Sequence, residues 1–109
     1  MARLTARFWI DAYLARLRVH DISAFVVVHG DDTAGSVLVK INTLNGFAAV
    51  YQRQYDFASD GYLWEKVGEG EEREVDARIE HSRGQDPDLW VVEVEDRAGR
   101  HLLDEPGLA

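Results

Sequence analysis

The hydrophobic pattern changes period once within the first third of the chain. Residues 6 to 19 contain no Gly or Pro and their apolar positions do not alternate. At about 100° per residue, Arg7, Asp11 and Arg18 fall on one narrow polar arc, while Phe8, Trp9, Ile10, Ala12, Tyr13, Leu17 and Val19 cover most of the remainder. This pattern predicts a helix, with Arg16 and Arg18 near its end, where the helix dipole favours cations. Its apolar girdle is wider than the stripe of about 100° that a surface helix needs to cover one neighbour. One set of side chains can therefore meet the sheet and another a second chain. Trp9, Tyr13 and Leu17 form the candidate dimer contact, with Phe8, Ala12 and Val19 on another side.

From residue 23 onward the pattern is that of strands. "AFVVVHG" is a short β-branched run, "SVLVKIN" is the next, and "FAAVYQRQY" follows "LNG", whose Asn45-Gly46 pair suits the positive φ angles of a tight hairpin. Three antiparallel strands are expected, the first two joined by the looser turn "GDDTAG". The first strand is apolar on both faces, Phe25 and Val27 on one and Ala24, Val26 and Val28 on the other, which predicts cover on both sides. "YLWEKV" predicts a fourth strand. A second helix is expected from Glu69 to Arg83, with acids in its first turns, Gly84 placed to end it, and a thin apolar stripe of Val75, Ile79 and Ala77. Pro87 stops it, and "LWVVEVED" opens the last strand. The fold class is α+β, a small, mainly antiparallel sheet of four to five strands with two helices in the order α-β-β-β-β-α-β. One domain spans 1–109, with a short flexible tail from about 104.

Composition removes several kinds of chemistry. The chain has 109 residues and no cysteine, so disulfide staples, thiol catalysis and thiolate metal sites are excluded, which fits a reducing compartment. No export signal is visible and the longest apolar run is far shorter than the about 20 residues of a spanning helix, so a cytoplasmic protein with no membrane association is expected. The net charge of −8 disfavours nucleic acid, whose binding depends on basic side chains. The only basic cluster that offers an alternative is Arg3, Arg7, Arg16 and Arg18 beside Trp9 and Tyr13.

The segment "DPDLWVVEVEDRAGRH" holds the densest candidate chemistry. Alternation puts Trp90, Val92 and Val94 on one face, which is expected to be core, and Leu89, Val91, Glu93 and Glu95 on the other. Glu93 and Glu95 read either as a divalent-ion pair or, as an ordinary strand would have it, as a solvated face or partners for arginines on the next strand. His101 and His81 could approach Asp86 and Asp88 to make a mixed nitrogen and oxygen site, but no spacing compels it. The element order is also close to that of restriction-endonuclease-like enzymes. In their place "GDDTAGSVLVKIN" supplies Asp31, Asp32 and Lys40, but it has Leu38 where a glutamate is needed, and fold order alone is weak evidence of activity. Glu72, Asp76 and Glu80 form an acidic ridge at four-residue spacing, expected to be tolerated in solvent, with the arginines of the first helix as an intramolecular alternative. No serine lies in a nucleophile-elbow setting and no phosphate-binding glycine loop occurs.

At this same segment the sequence resembles an uncharacterised bacterial family, the domain-of-unknown-function family number fourteen ninety-one. The likeness extends back through "EREVDARIEHSR" and more loosely to "AGSVLVK" and "FWIDAYLARL". It implies a small bacterial protein and supplies no activity or catalytic residue. The leading expectation is a non-catalytic binding or protein-interaction module, a homodimer with no cofactor and no metal. Its candidate ligand or partner surface is Asp86, Asp88, Glu93, Glu95, Arg97, Arg100 and His101. The alternative is a small metal-dependent hydrolase using the carboxylates of that segment.

Overall fold

The computed structural model describes residues 5–105, with two helices and five strands in the expected order. Helix α1 runs Ala6–Val19, and the strands are β1 (Ser23–Val28), β2 (Val37–Asn42), β3 (Phe47–Asp56) and β4 (Gly61–Glu71). Helix α2 (Glu72–Gln85) and strand β5 (Trp90–Glu95) follow. The sheet order is β1-β5-β2-β3-β4, with β5 antiparallel to β1 and parallel to β2, so the sheet is mixed. The expectation that β1 and β2 are adjacent in a run of antiparallel strands fails here, because β5 inserts between them. In the central position Trp90, Val91, Val92 and Val94 of β5, apolar on both faces, are buried on both, while the equally apolar β1 takes the edge.

The helices lie on opposite faces. Trp9, Ile10, Tyr13 and Leu17 of α1 pack on Val37, Val39 and Ile41 of β2 and on Trp90, Val92 and Val94 of β5. Val75 and Ile79 of α2 pack with Leu38, Ala48, Val50 and Val91 on the other side. Trp90 is buried as its alternation predicts, and its indole Nε1–H donates to the Asp31 carbonyl at 2.7 Å. Gly30 and Gly35 are required by this arrangement, since a Cβ on either would come within 2.2 Å of the Asp88 carbonyl oxygen. The loop between them serves α1 as well: Thr33 and Asp32 carbonyls accept from the Ala6 and Arg7 N–H groups at 3.2 and 2.9 Å, and Thr5 Oγ1 accepts from Phe8 N–H.

Several local expectations are corrected. The β2–β3 connection is a four-residue loop whose positive φ angles fall on Leu44 and Gly46 rather than on Asn45 and Gly46, held by Asn42 Oδ1 accepting from Leu44 N–H. β4 continues to Glu71, so α2 starts three residues later than Glu69, and it runs through Gly84 to Gln85. Ala77 faces outward and leaves Val75 and Ile79 as the stripe. β1 is an edge strand and is not covered on both sides: Phe25, Val26 and Val27 are 44%, 36% and 51% exposed. Of the expected tail, Glu105 pairs with Arg16 at 3.9 Å, while 106–109 lie outside the described residues, as does Arg3. Among the described residues no helix is long and apolar enough to cross a membrane.

Candidate functional site

The α2 face of the sheet carries a charged cluster centred on Lys40. Lys40 lies on β2 between Val50 of β3 and Glu93 of β5, and its side chain is only 5% exposed. One helical turn separates Glu72 and Asp76 on α2, so both carboxylates descend onto the same ammonium: Nζ lies 2.7 Å from Glu72 Oε2, 2.6 Å from Asp76 Oδ1 and 3.4 Å from Glu93 Oε1. Asn42, two residues on along the same face, donates to Glu72 Oε2 at 3.1 Å and Glu93 Oε2 at 3.2 Å. Burial alone would lower the Lys40 pKa, but the hydrogen bonds it donates to Asp76 and Glu72 and the charge of Glu93 outweigh it and hold the ammonium above its ordinary range. A lysine so held stays protonated at neutral pH and serves as a fixed cation, not as a base or nucleophile.

The acidic ridge of α2 is therefore relieved from beneath at Glu72 and Asp76 while its outer side stays in solvent, and not by the arginines of α1, which sit on the other face. Glu80 pairs instead with Arg83 at 3.3 Å. Glu93 is not part of a solvated face. Lys40 on the adjacent strand holds it, a lysine where arginines were expected. Between α2 and the uncovered end of the sheet a groove of about 350 Å³ is lined by Val27, Val28, Val91 and Ile79, with Lys40, Asp76, Glu93, Glu80 and Arg83 beside them.

The candidate surface of residues 86 to 101 is divided by the fold. Asp86 ends α2 and its Oδ1 accepts from Asp88 N–H at 3.0 Å, an ordinary turn. The six residues of β5 then carry the chain roughly 20 Å at about 3.3 Å per residue before the second group begins. There Arg100 clamps Asp96 at 2.8 Å and holds its carboxyl below the usual range, Arg97 is exposed, and Glu95 is half-buried. His101 crosses to the α1 face, where its ring stands 5.0 Å from Tyr51. Asp86, Asp88, Glu93, Glu95 and His101 thus do not converge, and among the described residues no three His, Cys, Asp or Glu side chains are grouped to hold a metal ion. Asp31 and Asp32 also lie away from Lys40: Asp31 Oδ2 caps Thr33 and Ala34 N–H groups, and Asp32 approaches His29 at 3.2 Å.

Trp9, Tyr13 and Leu17 are buried in the protomer's own core at 3%, 0% and 0% exposure, so a dimer contact through these three side chains is closed off. They are the set that covers the sheet, and Phe8 and Val19 are the set left outside. The sequence marks Lys40 only through the nuclease-like reading with Asp31 and Asp32, and it does not mark Asn42. The available signal was a cation and an amide inside the otherwise apolar run "VLVKIN", with an unpaired acidic ridge later in the chain.

The chain belongs to the DUF1491 family, described as a protein of unknown function, whose model matches residues 4–104. It is similar to a DUF1491 protein from Caulobacter crescentus CB15 solved by crystallography, at 35% identity and TM-score 0.81, covering 94% of this chain and 95% of that one. A solution structure of a DUF1491 protein from the same organism matches at 34% identity and TM-score 0.81, covering 97% of each chain. A protein from A. tumefaciens, also solved in solution, matches at 28% identity and TM-score 0.73 over 86% of each chain. No curated protein matches.

Proposed function

We propose that this chain is a non-catalytic interaction module whose partner is a second copy, joined through the edge strand β1. The observation that carries this reading is the exposure of Phe25, Val26 and Val27 on an edge that has no charged residue from Ser23 to Val28. Edge strands are ordinarily blunted by charge or proline, since their unpaired backbone groups template another strand. Here only a bulge after Val26 does so, and it confines regular pairing to the Ser23–Val26 side. A two-fold contact must be self-complementary. β1 meets that condition, because it offers a projecting Phe25, next to Glu93 in register, and an adjacent groove floored by Val27, Val28 and Val91. The dispersal of the 86–101 carboxylates and the fixed charge of Lys40 support a binding rather than a catalytic role.

The test is light scattering behind a sizing column at micromolar concentration. The parent is expected at twice the chain mass and Val27→Lys, which places a charge on an already exposed position, at the single-chain mass with its fold retained. A parent that stays monomeric at every concentration removes the proposal.

A further inference from the structure

We infer that the cavity beside His101 on the α1 face is a binding site for a small apolar carboxylate. This site is separate from the β1 edge and does not depend on the dimer reading. The cavity has a volume of about 400 Å³, within the size range of small-molecule sites. Its floor is Ile41, Ala49 and Tyr51, the exposed Phe47 stands at the rim, and the Gly99 to His101 segment forms one wall. An apolar body placed there would exclude water from the exposed Phe47 and the partly exposed Ala49 and Tyr51.

The polar groups favour a carboxylate. His101 Nδ1 accepts from Leu103 N–H at 3.0 Å, which fixes the neutral ring with its proton on Nε2. That Nε2–H has no hydrogen-bond partner among the described residues, and the half-buried ring is held neutral at pH 7 because burial pushes its pKa down, which the nearby Asp104 carboxylate opposes and the Lys66 ammonium reinforces. Lys66 supplies a second donor on the same side: its Nζ lies 3.0 Å from Glu69 Oε2, a residue of the cavity wall, and 6.0 Å from the centre of the Tyr51 ring against which His101 packs. Thr43, the other polar residue of the wall, already spends its hydroxyl on Asn45 Oδ1 and the Phe47 carbonyl. The donors left to a ligand thus include the imidazole N–H and the ammonium hydrogens that Lys66 does not give to Glu69, with the Tyr51 hydroxyl in the same lining, and the group that satisfies the first two together is a carboxylate. The site is also braced. His101 O accepts from the buried Tyr13 hydroxyl at 2.7 Å, and the leucines that follow His101 and Thr43, Leu102 and Leu44, are held at left-handed φ angles of 62° and 61°, costly conformations for a leucine that persist only where the surroundings enforce them.

The experiment titrates the full chain with benzoate and octanoate, and with benzamide as the neutral counterpart, following backbone amide and imidazole NMR signals. Saturable shifts at Ile41, Ala49 and Gly99 are expected with a carboxylate, together with a rise in the His101 titration midpoint, since an anion at Nε2 favours the imidazolium. Ala49→Leu fills the cavity without touching His101 and is expected to weaken carboxylate binding at least tenfold, while benzamide binds at least tenfold more weakly than benzoate to the parent. The inference is overturned by the absence of saturable shifts up to millimolar probe, by binding that leaves the His101 midpoint unmoved, by undiminished binding in Ala49→Leu, or by benzamide binding as well as benzoate.

Discussion

On the α1 face, β2 and β5 present only apolar side chains to the helix, Val37, Val39 and Ile41 beside Trp90, Val92 and Val94. On the α2 face the same two strands put Lys40, Asn42 and Glu93 beside Leu38 and Val91. Both faces are covered by a helix of 14 residues. α1 brings five buried residues to its face and α2 only Val75 and Ile79, so the second helix is positioned largely by charge. The difference teaches how the two faces fail. An apolar face loses stability in proportion to the volume removed, whereas an ion-pair face loses little when all its charges leave together and much when one leaves alone.

The largest effect is expected on the apolar face. Trp90 is 1% exposed and also ties down the loop between Gly30 and Gly35 through its bond to the Asp31 carbonyl. Trp90→Ala should cost about 3 to 5 kcal/mol, and the midpoint of chemical denaturation measures it. If that variant unfolds at the parent's midpoint, the α1 face does not behave as a close-packed core.

A smaller but more diagnostic loss is expected at Lys40. Replacing it by methionine keeps most of the unbranched side chain and removes the cation that three carboxylates share, at a cost of about 3 kcal/mol, toward the low end for a buried pair because Glu72 and Asp76 are partly exposed. Neutralising Glu72, Asp76 and Glu93 in the same chain should recover most of that loss, which no loss of packing alone would allow. The pH dependence has a definite sign. Lys40 holds its proton more tightly folded than unfolded, so its contribution is fully present below the unfolded value of 10.5 and is lost as pH rises from there toward the higher folded value. The difference in melting temperature between parent and Lys40→Met should therefore narrow above about pH 10.5, and a difference constant with pH would mean the ammonium is not the stabilising element.

The same contrast explains what was legible in the sequence. Helix α1, the element order and the burial of Trp90, Val92 and Val94 follow from periodicity, because the α1 face obeys the rule that apolar positions point inward. The α2 face breaks that rule. Lys40 and Asn42 are buried and polar, and their partners are 30 to 53 positions away, so no local window contains the reason for their burial. Strand order was hidden for a related reason: β1 is as apolar as β5, and only the three-dimensional competition for the central position assigns β5 to the middle and leaves β1 at the edge. The candidate surface of residues 86 to 101 was legible as a list of side chains but not as a site, since contiguity in sequence becomes separation along a strand.

The finest test within the α2 face compares Glu93 with Glu95. The two are neighbours on one face of β5 and identical in chemistry, so from the sequence they form a pair. In the fold Glu93 sits opposite Lys40 and accepts from Asn42, with 14% of its side chain exposed, while Glu95 lies opposite Asn42 in register, nearer the strand end. Glu93→Gln keeps an oxygen for Asn42 but removes one of the three charges facing Lys40. It also lessens the repulsion among the carboxylates, so the net loss should be about 1 kcal/mol. Glu95→Gln removes a charge from an already acidic chain and should stay within about 0.5 kcal/mol of the parent, in either direction. The two single variants, measured side by side by chemical denaturation, are expected to differ. Equal shifts would mean that Lys40 is held by Glu72 and Asp76 alone, and that β5 contributes to this face only through Val91.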